Sequence, residues 1–169
     1  MVEFMTQLAE NEHEDSLLAA MRDWLVMGSY AGFRLSEWAQ ESKYARNSTF
    51  ATWDKKRGGD GLAKAFTMSD LQFMGKSHKR ITTSDKRILD AASFEEVSLR
   101  WRYQKNGDNG QKINYSRNTK NIKFCPVAAC LNIRKRAQRL KVPPATPIAV
   151  YRDKGGSKHI CNKDIAIHC

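Results

Sequence analysis

The sequence lacks a long apolar run and has only four cysteines in 169 residues. No stretch approaches the about 18–20 apolar residues needed to span a bilayer, and the acidic amino end does not resemble a signal peptide. We therefore expect an intracellular protein with no membrane partner. The cysteines occur late and at irregular spacing, which argues against a disulfide framework and favours reduced thiols. No internal repeat or low-complexity tract is present.

Basic residues are absent from the first fifteen positions, which hold five acidic residues. Because the whole chain carries a net charge of +11, the remainder carries +16. A surplus of this size favours a polyanionic partner, with nucleic acid ahead of an acidic membrane surface. With 41% hydrophobic and 9% aromatic residues, the chain can bury a core and is expected to form one main domain.

Helical periodicity begins after Asp15 or Ser16, either of which can cap a helix. Apolar residues then recur at the spacing of one buried face, and the helix should end between Gly28 and Gly32. A short second helix is expected through Glu37 and Trp38. The polar, glycine-broken segment 41–63 predicts a long surface loop.

Three strands are predicted in the middle of the chain. Residues 66–73 suggest a strand whose alternation slips at Ser69 and Asp70, and residues 97–104 alternate regularly between apolar and polar. Two Asn-Gly steps then allow a turn, and the alternation resumes at Ile113 and Tyr115, which predicts a hairpin.

A third helix should begin at Pro126, where the proline suits the first turn. It has a narrow apolar stripe and a basic opposite face, which is either a solvated face or one that follows DNA phosphates. The stripe contains Ala129, Ile133, Ala137 and Leu140, and the basic face contains Arg134, Lys135, Arg136, Arg139 and Lys141. An extended segment 147–151, a turn from Lys154 and a helix capped by Asn162 should follow. The expected fold class is α+β, mainly helical with a small antiparallel three-stranded sheet.

One short motif stands out, running from Gly32 through Arg34 to Glu37 as Gly-Phe-Arg-Leu-Ser-Glu. It resembles the first conserved box of the tyrosine recombinases, the phage-integrase family. The hairpin with Gln104-Lys105-Asn-Gly and the segment 124–129 resemble integrase-like proteins of eukaryotic mobile elements such as cryptons. The likeness covers about residues 15–169 and implies part of a tyrosine-recombinase catalytic domain, preceded by an acidic stub over residues 1–14.

The resemblance assigns roles to individual residues. Arg34 would bind the scissile phosphate and stabilise charge in the transition state, a task that suits a fixed guanidinium. Glu37 would orient this box, and Lys105 on the hairpin turn would act as general acid, with Lys112 as second choice. A simpler reading pairs Arg34 with Glu37 on a helix surface and leaves Lys105 solvated.

The family's remaining machinery has no match in the sequence. No histidine is followed three residues later by arginine, and Tyr115 and Tyr151 lie too early to be the nucleophile. The expectation is a truncated, DNA-binding fragment that is inactive alone, without cofactor or metal. It would bind double-stranded DNA through Lys112, Arg134, Lys135 and Arg139, assemble with itself on DNA, and reside in the nucleus if the host is eukaryotic.

Alternative interpretations remain open at this stage. One is a non-catalytic DNA- or RNA-binding module in which Trp101 and Tyr103 stack on bases. Another is a partner-binding scaffold whose charge serves only solubility. A zinc site is a weaker alternative, because its candidate ligands lack a paired knuckle spacing. Those ligands are Cys125 and Cys130 with either His159 and Cys161 or His168 and Cys169.

Overall fold

The chain pairs amphipathic helices with short antiparallel sheets. The computed structural model describes residues 2–32, 34–39, 65–76, 94–102, 110–144, 146–154, 156–161 and 164–165. The predicted long loop over 41–63 and the predicted helix capped by Asn162 lie outside this part, apart from residues 164 and 165 of the latter.

Four helices are described: α1 spans Val2–Leu8, α2 Leu17–Ala31, α3 Leu35–Trp38 and α4 Pro126–Arg139. Ser16 caps α2, since its hydroxyl accepts the N–H of Ala19 at 3.2 Å. The helix ends where Gly32 adopts φ 65° and donates its N–H to the Gly28 carbonyl at 2.8 Å. Glycine tolerates this left-handed conformation. The predicted start, end and following short helix are confirmed.

The central sheet contains the described strands β1 (Leu71–Met74), β2 (Glu96–Arg100) and β3 (Lys112–Ser116), antiparallel in that order. Leu99 lies opposite Leu71 on one side and Ile113 on the other. The predicted hairpin between β2 and β3 is confirmed. The predicted strand over 66–73 is shorter than expected, because Met68–Asp70 form a 3-10 turn in place of a bulge.

A second sheet was not predicted. Val150–Asp153 (β4) and Gly156–His159 (β5) form a two-stranded antiparallel hairpin. The sequence indicated only an extended segment followed by a turn, because β5 is short and polar and shows no apolar alternation. The hairpin is joined to the region before β1, where the N–H of Ile148 donates to the Phe66 carbonyl at 3.0 Å.

The core lies between α2, α4 and the apolar face of the central sheet. On α4, three members of the predicted apolar stripe are fully buried and Leu140 is half-buried. The acidic amino-terminal segment also contributes, because α1 packs against α2 and buries Met5 completely. The fold is therefore α+β, as predicted. Among the described helices, none has the length and apolarity to cross a membrane.

Candidate nucleic-acid interface

Arg34 directly follows the turn that ends α2, and its side chain is exposed. The backbone N–H of Arg34 donates to Glu37 Oε2 at 2.7 Å, and the N–H of Glu37 donates to the Arg34 carbonyl at 2.9 Å. This is the glutamate half of a capping box, which fixes the first turn of a helix. Glu37 is itself buried. It therefore holds the backbone of Arg34 in place while bonding no atom of the guanidinium.

This arrangement differs from the simpler reading of a surface ion pair. Within the described part of the chain, no carboxylate lies within ion-pairing distance of the Arg34 guanidinium. The nearest acidic partner in sequence, Glu37, instead bonds the main chain. The Arg34 side chain is thus exposed at the start of α3, where Glu37 fixes the Arg34 backbone.

An aromatic cluster anchors the helix that carries Arg34. Trp38 stacks on Trp24 with ring centroids 5.3 Å apart, and Trp24 stacks on Phe66 at 6.1 Å. Phe66 in turn contacts Trp101 at 5.5 Å. The N–H of Phe66 also donates to the Glu37 carbonyl at 3.0 Å. Because such aromatic contacts are short and geometrically specific, they fix α3 relative to the carboxyl end of β2.

The same cluster reaches the base of the β2–β3 hairpin. Trp101 continues the pairing beyond β2, since its N–H donates to Gln111 O at 2.9 Å and its carbonyl accepts from Gly110 at 2.7 Å. Gly110 has φ 86°, which glycine adopts without strain. The turn itself, including Lys105 and Tyr103, lies outside the described residues. The structure thus places the base of the turn, though not Lys105, against the cluster that holds α3.

Trp101 is only 4% exposed. Its ring packs against Phe66 inside the core, so it offers no free face to a base. The predicted stacking role of Trp101 is therefore wrong. The alternation of apolar and polar residues along β2 already implied burial of this side chain.

The polar face of the hairpin carries a cluster that sequence reasoning missed. Asp70, whose side chain is fully buried, accepts from Arg100 Nε at 3.0 Å and Nη2 at 2.8 Å, and it also bonds Arg102 Nε. Arg102 Nη2 donates to Thr67 Oγ1 at 2.9 Å and Ser69 Oγ at 3.1 Å. The available signal was the period of two, which puts residues 100 and 102 on one face of the strand.

Lys112 lies directly across from Arg100 in the β2–β3 register, and both side chains therefore project from the same face. Lys112 is exposed. Its cross-strand neighbour is therefore another cationic residue.

Two basic residues of α4, Arg136 and Arg139, are bonded to carboxylates of the protein itself. Arg136 is 1% exposed and pairs with Asp23 at 2.7 Å, so its predicted place on an exposed basic face is wrong. The cause is a carboxylate buried on the facing helix α2. Arg139 donates to Asp15 Oδ1 from Nε at 3.0 Å and from Nη2 at 2.6 Å. Its guanidinium is therefore largely committed to an internal contact.

The remaining α4 candidates are Arg134 and Lys135. Arg134 is half-buried, with Nη1 3.4 Å from the Leu71 carbonyl and its guanidinium carbon 6.0 Å from the centre of the Phe73 ring. Burial lowers the pKa of Arg134. Lys135 is half-buried. Of the predicted DNA-binding residues, Lys112 therefore lies exposed on the β2–β3 hairpin, whereas Arg134 and Arg139 contact other groups of the protein.

The cysteines show no metal-binding geometry in the described part of the chain. Burial raises the pKa of the Cys130 thiol well above its usual range, so the sulfur stays protonated and is a poor zinc ligand. Cys125 is buried and accepts the Asn118 N–H at 3.3 Å. The described residues contain no group of three His, Cys, Asp or Glu side chains that would hold a metal ion.

Comparison of the chain with protein-family models, with curated protein sequences and with solved structures gave no match.

Proposed function

We propose that the chain binds double-stranded DNA as part of a tyrosine-recombinase-like catalytic domain, with Arg34 contacting a backbone phosphate. The observation that carries this proposal is the aromatic cluster from Trp38 to Trp101. It fixes the exposed Arg34 and the base of the hairpin turn in one rigid unit, as a site shared by Arg34 and Lys105 requires.

The chemistry of the proposed site follows from its charges. A guanidinium presents a planar fork of donors to phosphate oxygens, and because the Arg34 backbone is fixed, only its side chain must become ordered on binding. In the resemblance to tyrosine recombinases, the same group would stabilise negative charge at the reacting phosphate. Lys105, carried on the turn, would protonate the leaving 5′-oxygen.

The proposal covers phosphate binding and positioning, not strand cleavage by this sequence alone. Cleavage in this family needs a tyrosine nucleophile and a His-x-x-Arg box, and the sequence has no His-x-x-Arg match. The surplus of 29 Lys and Arg over 18 Asp and Glu supports binding to a polyanion, since released counterions then favour the complex.

The test is the salt dependence of binding to a labelled DNA duplex, measured by fluorescence anisotropy. We expect the wild-type affinity to fall steeply with salt, and Arg34→Ala to weaken binding about tenfold and lower the salt slope by about one. Arg34→Lys keeps the charge and should retain most of the slope. Lys154→Ala, in the β4–β5 turn, is the matched control and should bind like wild type.

Three results would overturn the proposal. Wild-type binding with almost no salt dependence would favour a scaffold whose charge serves solubility. Equal affinity of Arg34→Ala and Lys154→Ala would show that the motif does not contact DNA. A clear preference for single-stranded RNA over the duplex would favour a general nucleic-acid module instead.

A further inference from the structure

The cationic cluster at the base of the hairpin has a feature that the proposed phosphate contact at Arg34 does not explain. Arg100 uses Nε and Nη2 to bond Asp70, and among the described residues Nη1 has no hydrogen-bond partner. The Arg100 side chain is 42% exposed, so that third nitrogen is available to a ligand. Asp70 fixes the plane of the guanidinium, which lowers the entropy lost when a ligand binds.

Among the residues that the structure describes, the charges in this cluster do not balance. One buried carboxylate, Asp70, is bonded by two guanidiniums, and Lys112 is the residue directly across from Arg100 in the β2–β3 register. Like charges at directly opposite positions of an antiparallel pair repel each other. An anion placed between Arg100 and Lys112 would remove that repulsion.

Arg102 has a different role from Arg100. Its side chain is 17% exposed, and it is bonded to Asp70, Thr67 and Ser69. The Thr67 backbone N–H and hydroxyl also donate to Asp70, at 2.8 and 2.9 Å. Arg102 and Thr67 are therefore positioning residues, which hold the carboxylate that holds Arg100.

We propose that Arg100 and Lys112, with Arg100 oriented by Asp70, bind a second backbone phosphate of the DNA. This inference rests on the proposed function, since it assigns a further contact to the same ligand. The second phosphate is distinct from the one at Arg34, because Arg100 projects from the face of β2 opposite to Trp101 and its aromatic cluster.

A matched control for Arg100 exists elsewhere in the molecule. Arg152 on β4 is 46% exposed and pairs with the buried Asp15, which keeps Arg139 as a second partner. Arg100 is 42% exposed and pairs with the buried Asp70, which keeps Arg102. Arg100→Gln and Arg152→Gln therefore each remove one charge beside a buried aspartate that keeps a second arginine, with two bonds lost at Asp70 and one contact of 3.3 Å lost at Asp15.

The experiment measures duplex DNA affinity by fluorescence anisotropy between about 50 and 200 mM salt. We expect Arg100→Gln to weaken binding about tenfold at the lowest salt and to lower the salt slope by about one, whereas Arg152→Gln should match wild type. Lys112→Gln should also lower the slope by about one, and it leaves the Asp70 contacts intact. Circular dichroism checks that each variant is folded.

Identical salt slopes for Arg100→Gln and Arg152→Gln would overturn the inference. If Arg100→Gln fails to fold, Lys112→Gln decides, and wild-type binding by that variant would overturn the inference as well. Arg34→Ala separates this outcome from failure of the proposed function. If Arg34→Ala loses affinity while the Arg100 and Lys112 variants do not, the second phosphate site is wrong and the first stands.

Discussion

Two of the buried aspartates that are each bound by two arginines, Asp15 and Asp70, have different surroundings. Asp15 is bonded by Arg139 of α4 and Arg152 of β4, and it also accepts the Arg152 backbone N–H through its carbonyl at 2.8 Å. Asp70 is bonded by Arg100 and Arg102, both from one strand and its extension. The first cluster joins three separate parts of the chain, and the second joins the 3-10 turn before β1 to β2 and its extension.

The charge balance of the two clusters also differs. At the first, Glu14 lies 3.3 Å from Arg139, so two carboxylates face two guanidiniums. At the second, one carboxylate faces two guanidiniums with Lys112 alongside. The same kind of ion pair therefore forms a neutral cluster around Asp15 and a cationic surface around Asp70. This contrast separates arginines that hold the fold from arginines that we propose contact DNA.

The largest loss of unfolding free energy is expected at the most buried ion pair among the described residues. In the comparison above, this pair represents the arginines that hold the fold. Arg136 and Asp23 have side chains 2% and 3% exposed. Arg136→Met leaves Asp23 buried with only Arg22 as cationic partner, which should cost about 3–5 kcal/mol of unfolding free energy. Urea unfolding at pH 7 measures this. Because both charges are then absent, the double variant Asp23→Leu with Arg136→Met should recover most of the loss. A single variant as stable as wild type would contradict the prediction.

The burial of Arg136 shows where prediction from sequence succeeded and where it stopped. Local signals sufficed for the Ser16 cap, the Gly32 helix end and the β2–β3 hairpin, because each depends on residues close in sequence. The partner of Arg136 is 113 positions away on α2. Nothing in the basic run of α4 indicates which arginine will meet that carboxylate, so the exposed face predicted there was wrong for this residue.

The candidate site likewise contains contacts that the sequence predicted and contacts that it did not. The exposure of Arg34 and its contact with Glu37 depend on neighbours within three residues, and the motif pointed to both. Asp70 and Arg100 are 30 positions apart and meet only because the 3-10 turn before β1 brings the aspartate under β2. The sequence predicted a strand slip at that place, which gave no reason to expect a buried carboxylate.

A smaller loss of stability is expected when Asp15 is replaced, and the size of this loss should depend on pH. Burial opposes ionisation of this carboxyl, but the hydrogen bonds from Arg139 and Arg152 and the positive charges of Arg139 and Arg136 outweigh it and lower its pKa below the ordinary 3.8. The unfolded state therefore binds the proton more readily. The stabilisation is full above the unfolded pKa and is lost as pH falls through the folded pKa.

Asp15→Asn should accordingly cost about 2 kcal/mol at pH 7. The gap between wild type and variant should narrow as pH falls below about 4. Urea unfolding across this pH range measures the gap, and Arg139→Gln should reduce the pH dependence because it removes the larger cationic contribution. A gap that stays constant down to the lowest pH would show that Asp15 stabilises the fold by packing alone.

The smallest stability effect should come from the matched pair of exposed arginines. Arg100→Gln and Arg152→Gln each leave their aspartate with a second arginine, and each removes a side chain more than 40% exposed. Since partly exposed ion pairs contribute little, both variants should lie within about 1 kcal/mol of wild type in urea unfolding. A loss of several kcal/mol in Arg100→Gln alone would make this arginine a structural element of the hairpin. Equal stability would instead mean that any difference between the two variants in DNA binding arises from the surplus of positive charge beside Lys112.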